Sequence, residues 1–215
     1  MRDQSIHGWA LVLGTVAMLG TGTMHPTGPQ LLASAEAFER SGTLNIVAHG
    51  LALVGVWLGF FGAVGLSKRL GLWRPDVMAA LVAYALVAVM IALAAVVDGI
   101  VATRLAGAYV TTADEHEREL LRAFMHYSVN IASSISRVYV SGAALAMLLW
   151  SWAAWRTGFS RVLAGLGLAI AVVALVAQLA GHLRMNVHDV LLLAAGQGLW
   201  FAVAGIALVR ERPRS

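Results

Sequence analysis

Residues 77–102 read VMAALVAYALVAVMIALAAVVDGIVA, twenty-six positions with one charge, Asp98, near the end. A helix crosses the hydrocarbon core with about 20 mostly apolar residues, so this stretch is predicted to span a bilayer with length to spare. Five further runs have the same character: Trp9–Thr23, Thr43–Leu66, Phe124–Trp155, Val162–Ala180 and Val190–Val209. The fourth span in chain order, Phe124–Trp155, is the longest, and an amphipathic stretch from Ala113 leads into it. Trp9–Thr23 is the shortest. Arg2 ahead of it and Gly20, Thr21 and Gly22 at its end also suit a secretory leader, but it is taken here as a retained span.

The whole composition agrees with these runs. Of 215 residues, 60% are apolar and 12% charged, with 22 glycines besides, and the mean hydropathy is +0.78. Soluble domains hold about 45–50% apolar residues with glycine included, and a chain this apolar is neither soluble nor disordered. The predicted fold is all-α: a polytopic six-transmembrane-helix bundle, one integral-membrane domain over residues 1–215. With no cysteine in the chain, disulfides, thiolate zinc sites, iron–sulfur clusters and cysteine nucleophiles are excluded.

The net charge is +4. In a membrane protein this excess sets orientation and does not indicate nucleic acid. With both termini on one side, that side collects nine bases: Arg2, Lys68, Arg69, Arg74, Arg156, Arg161, Arg210, Arg212 and Arg214. The other side collects five: Arg40, Arg104, Arg118, Arg122 and Arg184. The termini are therefore expected in the cytoplasm, with the chain multi-pass in a cell inner (plasma) membrane and the lipid bilayer as its partner. The outer connections His25–Gly42 and Leu105–Ala123 contain helix-compatible stretches, Gln30–Arg40 and Ala113–Ala123, expected to lie on or cap the outer face.

Ionisable groups inside a membrane are costly and face the bundle interior, so their depth is informative. Six of the seven histidines lie toward the outer side: His25, His49, His116, His126, His182 and His188. Asp98 and Asp189 lie at similar depth. On span four, His126, Asn130, Ser133, Ser134, Arg137 and Ser141 recur at steps of three and four, one stripe of a helix, expected to line a polar cavity with Asp98, or after it Asp189, as the counter-charge of Arg137. Asn45 precedes His49 by one turn, and Gln178 precedes His182 by one turn. Imidazoles from separate helices, oriented by amides or carboxylates, are the material of metal sites.

The layout of Asn45…His49 after an outer loop, Asp98-Gly99 ending span three and Val187-His188-Asp189 opening span six resembles small six-helix bacterial inner-membrane proteins with no assigned activity. His49 on span two and Asp98 on span three are also similar to the histidine and aspartate of the seven-helix alkaline ceramidase and adiponectin-receptor superfamily. The chain departs from that pattern in lacking one span, and its His182 and His188 are six apart across a loop where that family has an H-x-x-x-H pair. His126-Met-Tyr-Ser-Asn130 has the H-x-x-x-N spacing of rhomboid proteases without their Gly-x-Ser-Gly turn. No Walker loop, Rossmann glycine pattern or H-E-x-x-H string is present.

Three functional classes follow. In the first, a metal ion or haem binds near the outer face. The metal ligands would come from His49, Asp98, His126, His182 and His188, and Asn45, Asn130, Ser134, Gln178 and Asp189 would orient them. Neutral imidazole suits zinc, copper and iron alike; with haem b, Arg104 and Arg137 would meet the propionates, and with zinc a polarised water would hydrolyse a lipid or amide substrate. His49, His126 and His182 are expected to converge, with Asp98 beside them. The second class is a transporter or receptor for a small polar or anionic solute held by Arg137, with the histidines relaying protons. The third is a structural subunit whose polar residues only pack helices.

Overall fold

The computed structural model describes residues 2–26, 32, 34–182 and 187–210, with backbone only for 2, 3 and 187–190. Among the described residues six helices are long and apolar enough to cross a membrane, and there are no strands. They are α1 (Arg2–Met24), α2 (Ala35–Leu70), α3 (Pro75–Thr111), α4 (Glu115–Thr157), α5 (Arg161–Leu179) and α6 (Val187–Arg210). The fold is an all-α six-helix membrane bundle.

Local chemistry sets the helix ends. Ser34, Asp114 and Ser160 cap α2, α4 and α5 by accepting from the backbone N–H of Ala37, His116 and Leu163. Pro75 opens α3, where its missing N–H costs nothing. Gly71 and Gly158, at φ 97° and 65°, close α2 and α4 in the left-handed conformation that favours glycine. Residues Val97–Ala102 of α3 form a π-turn.

Helix α1 lies between α2 and α6, while α4 packs on α3 and α5. Where α1 meets its neighbours the backbones touch. A Cβ on Gly14 would lie 2.8 Å from Gly59 N, and one on Gly8 would lie 2.6 Å from Gly205 O. Small residues are what allow such approach in lipid, where apolar burial drives no association. The Gly8–Gly205 contact also brings the start of α1 beside the last turns of α6, so the first and last described helix ends, at Arg2 and Arg210, lie at one end of the bundle. Tyr84, Trp150, Trp200 and Phe201 pack ring on ring in the core of that half, Trp150 and Trp200 stacked and the others edge-on or tilted. Trp150 donates to Ser67 Oγ (3.0 Å) and Trp200 to the Leu163 carbonyl (2.9 Å), so both indole N–H groups are satisfied. Above this plug a small cavity of about 40 Å³ is lined by Thr15, Met18, Gly59, Tyr84, Tyr139 and Gln197 among others, and Tyr139 donates to Gln197 Oε1 (2.7 Å) across it.

The helices differ greatly in length. At 1.5 Å per residue the 19 residues of α5 make about 29 Å, one hydrocarbon thickness, whereas the 43 of α4 make about 65 Å. Gln178, in the last turn of α5, donates to the Arg137 carbonyl (3.2 Å) and to Ser141 Oγ (2.7 Å). Arg137 is thus level with the end of α5, and α4 from Glu115 to Ser136 stands past it at the end away from the termini. Of the helix-compatible outer stretches, Ala35–Arg40 is the first part of α2 and Glu115–Ala123 the first part of α4, so the amphipathic stretch from Ala113 does lead into the fourth span.

The expected interior stripe of α4 is corrected by the same geometry. His126, Asn130, Ser134 and Arg137 are exposed, on a stretch of α4 that has α3 beside it but extends past the end of α5. The serines of this stretch satisfy themselves by donating back to carbonyls four residues earlier, Ser134 to Asn130 and Ser141 to Arg137. Arg137 makes no ion pair with Asp98, whose partners are two histidines.

Candidate metal centre

Three chain segments meet at the far end of the bundle. His25 follows directly on α1, where Pro26 stops the helix. His49 is on α2, one turn after Asn45. Asp98 is on the π-turn of α3, a widened turn of a kind frequent at functional sites. The close approach of α2 depends on Gly99, where a Cβ would lie 2.4 Å from the Cβ of His49.

His25 Nε2 lies 2.9 Å and His49 Nε2 3.3 Å from the same oxygen, Asp98 Oδ2. The three atoms are all within 4.8 Å of one another, and the two rings meet edge-on with centroids 4.9 Å apart. An ion bound by nitrogen and oxygen at about 2.0–2.2 Å separates its ligand atoms by roughly 3–4 Å. The spacing is that of a metal site, and this group can hold a metal ion.

The other ring nitrogens decide the protonation. His25 Nδ1 lies 2.8 Å from the Pro26 carbonyl and His49 Nδ1 2.8 Å from the Asn45 carbonyl. A carbonyl only accepts, so both Nδ1 atoms carry hydrogen and donate it. Each neutral imidazole then presents the lone pair of Nε2 to a carboxylate oxygen that has only lone pairs to offer. Three electron-pair donors facing one another need a positive charge between them, a metal ion or a proton on an imidazole. The Asp98 carboxylate, through its hydrogen bond above all, raises the His25 imidazole above its ordinary 6.5.

Asn45 braces the cluster from beneath. Its Nδ2 donates to the Asp98 carbonyl (3.1 Å) and to Thr103 Oγ1 (2.8 Å), and Thr103 Oγ1 donates to the Gly99 carbonyl (2.8 Å). Access remains on one side, since the side chain of Asp98 is 39% exposed while those of His25 and His49 are 17% and 10% exposed.

Of the residues expected at a site, the structure brings together His49, Asp98 and Asn45. His126 and His182 do not join them: both are exposed, His126 on the projecting half of α4 and His182 just past the end of α5. Gln178 serves α4, not His182. Arg104 is exposed, and neither it nor Arg137 pairs with Asp98 among the described residues. The side chains of His188 and Asp189 lie outside the described residues. His25 was missed as a ligand, although it stood among the outer histidines. Its signal was the His25-Pro26 pair, a helix stop that offers a carbonyl to Nδ1.

Fold and site together define a polytopic membrane protein with a histidine–aspartate cluster suited to a metal ion at one end of its bundle. Comparison with protein-family models, with curated proteins and with solved structures finds no match to this chain.

Proposed function

We propose that the protein binds one first-row transition-metal ion through His25 Nε2, His49 Nε2 and Asp98 Oδ2. The observation that carries this reading is the pair of Nδ1–H donations to the Pro26 and Asn45 carbonyls, which turn both Nε2 lone pairs onto one carboxylate oxygen. Two imidazoles and one carboxylate suit zinc, iron or copper and are poor in the oxygen donors that magnesium and calcium take. Rings 4.9 Å apart leave no space for a porphyrin between them, which favours a bare ion over haem. The nine-to-five distribution of bases supports cytoplasmic termini and hence a centre at the outer face of the membrane.

Metal analysis of the detergent-purified chain after zinc loading and gel filtration tests the reading. About one equivalent per chain is expected, falling below about a tenth in His49→Ala and in Asp98→Asn. No retained metal in the unaltered chain, or undiminished metal in both variants, rules it out.

A further inference from the structure

His49 and Asp98 sit on different helices, and one residue holds both. Asn45 is 1% exposed. Its backbone carbonyl takes the Nδ1–H of His49, and its side-chain Nδ2 donates to the Asp98 carbonyl and to Thr103 Oγ1. Thr103 gives its own hydrogen to Gly99 O, so toward Asn45 it can only accept. The amide orientation is therefore fixed, because both of its neighbours need a donor. Asn45 Oδ1 is left buried without a hydrogen-bond partner among the described residues, a state that folded interiors rarely leave unmet. Among those residues the cluster offers three ligands, and a four-coordinate ion with three protein ligands keeps its last position for water.

Resting on the metal reading above, we propose that Asn45 is the positioning residue of the centre and that its Oδ1 accepts a hydrogen bond from a water molecule bound to the ion. The water oxygen gives a lone pair to the metal and one O–H to Asn45, with no bond broken. The brace from Nδ2 keeps Asp98 on the π-turn facing His49. The centre thus has one exchangeable position, filled by water and able to take small lone-pair donors such as hydroxide or azide in its place.

The test loads the full-length protein with Co²⁺, records its visible absorption and titrates with azide. The unaltered chain should bind Co²⁺ and shift its ligand-field bands on azide addition. Asn45→Ala should weaken Co²⁺ binding by about 10–100-fold, the usual cost of losing a residue that orients ligands, and should alter the bands before azide is added. Thr103→Ser, which keeps the hydroxyl, should behave as the unaltered chain. Thr103→Val, which removes one of the two acceptors that hold Asn45 Nδ2 but leaves Asn45 Oδ1, should weaken binding while the azide response persists, and it decides the matter should Asn45→Ala fail to fold. Unchanged affinity and bands in Asn45→Ala, or azide-insensitive bands in the unaltered chain, overturn the proposal while leaving metal binding standing. Failure of the unaltered chain to bind Co²⁺ removes both.

Discussion

A methyl group on Gly99 would lie 2.4 Å from His49 Cβ and 2.5 Å from its Cγ, closer than real side chains come. Gly99→Ala should therefore push the imidazole off Asp98. Overpacking of this kind costs about 1–3 kcal/mol, and displacing a ligand costs more in affinity than in stability. Zinc affinity should fall at least about tenfold while the thermal midpoint drops only modestly. A zinc titration beside a melting curve checks this, and equal affinity would show that α2 retreats without moving His49. Acid acts at the same atoms. Protons and metal compete for the Nε2 lone pairs, and His25 holds its proton above the ordinary imidazole range. Zinc affinity should thus be full at alkaline pH and begin to weaken, as pH falls, before 6.5 is reached; zinc titrations across pH 5–8 read that onset.

At the scale of elements, the π-turn Val97–Ala102 carries Asp98 near its start and sets Thr103 just past its end, in a register that a continuous α-helix of the same residues would not give. Elsewhere the helices lean on glycine. Gly14 of α1 meets Gly55 and Gly59 of α2 backbone to backbone, so Gly14→Leu should separate the pair. Loss of the folded, monodisperse species on gel filtration is the expected result, since no flexible side chain is there to yield. The long α4 makes the opposite point: its stripe of His126, Asn130, Ser134 and Arg137 is polar on a face left exposed past the end of α5, and lines no cavity among the described residues.

For the whole molecule the cluster is a staple joining the end of α1 to α2 and α3. Ligand bound only by the folded state stabilises it by about 2.7 kcal/mol at a hundred times the dissociation constant. Zinc should therefore raise the melting temperature of the unaltered chain and leave Asp98→Asn where it was. Orientation is also open to measurement, because the chain has no cysteine of its own. Trp73, in the turn at the termini end, is 86% exposed, and Thr111 is exposed at the far end. In intact cells a membrane-impermeant maleimide should label Thr111→Cys and not Trp73→Cys. The reverse pattern would put the metal centre on the cytoplasmic side.

The membrane bundle was legible in one dimension because spanning is a local property: twenty-odd apolar residues satisfy their own backbone within one helix, whatever their neighbours do. Caps at Ser34, Asp114 and Ser160 and stops at Gly71 and Gly158 are local for the same reason. Depth along a helix is nearly local too, which is why His49, Asn45 and Asp98 stood out. Which helices touch is not local. The close pairing of α1 with α2 through Gly14, Gly55 and Gly59, the π-turn that aims Asp98 and the early end of α5 beside Arg137 depend on contacts between residues far apart in the chain. Those contacts chose His25 over His126 and His182. Equal depth places imidazoles in one layer, but only the packing of backbone against backbone brings particular nitrogens within reach of one carboxylate.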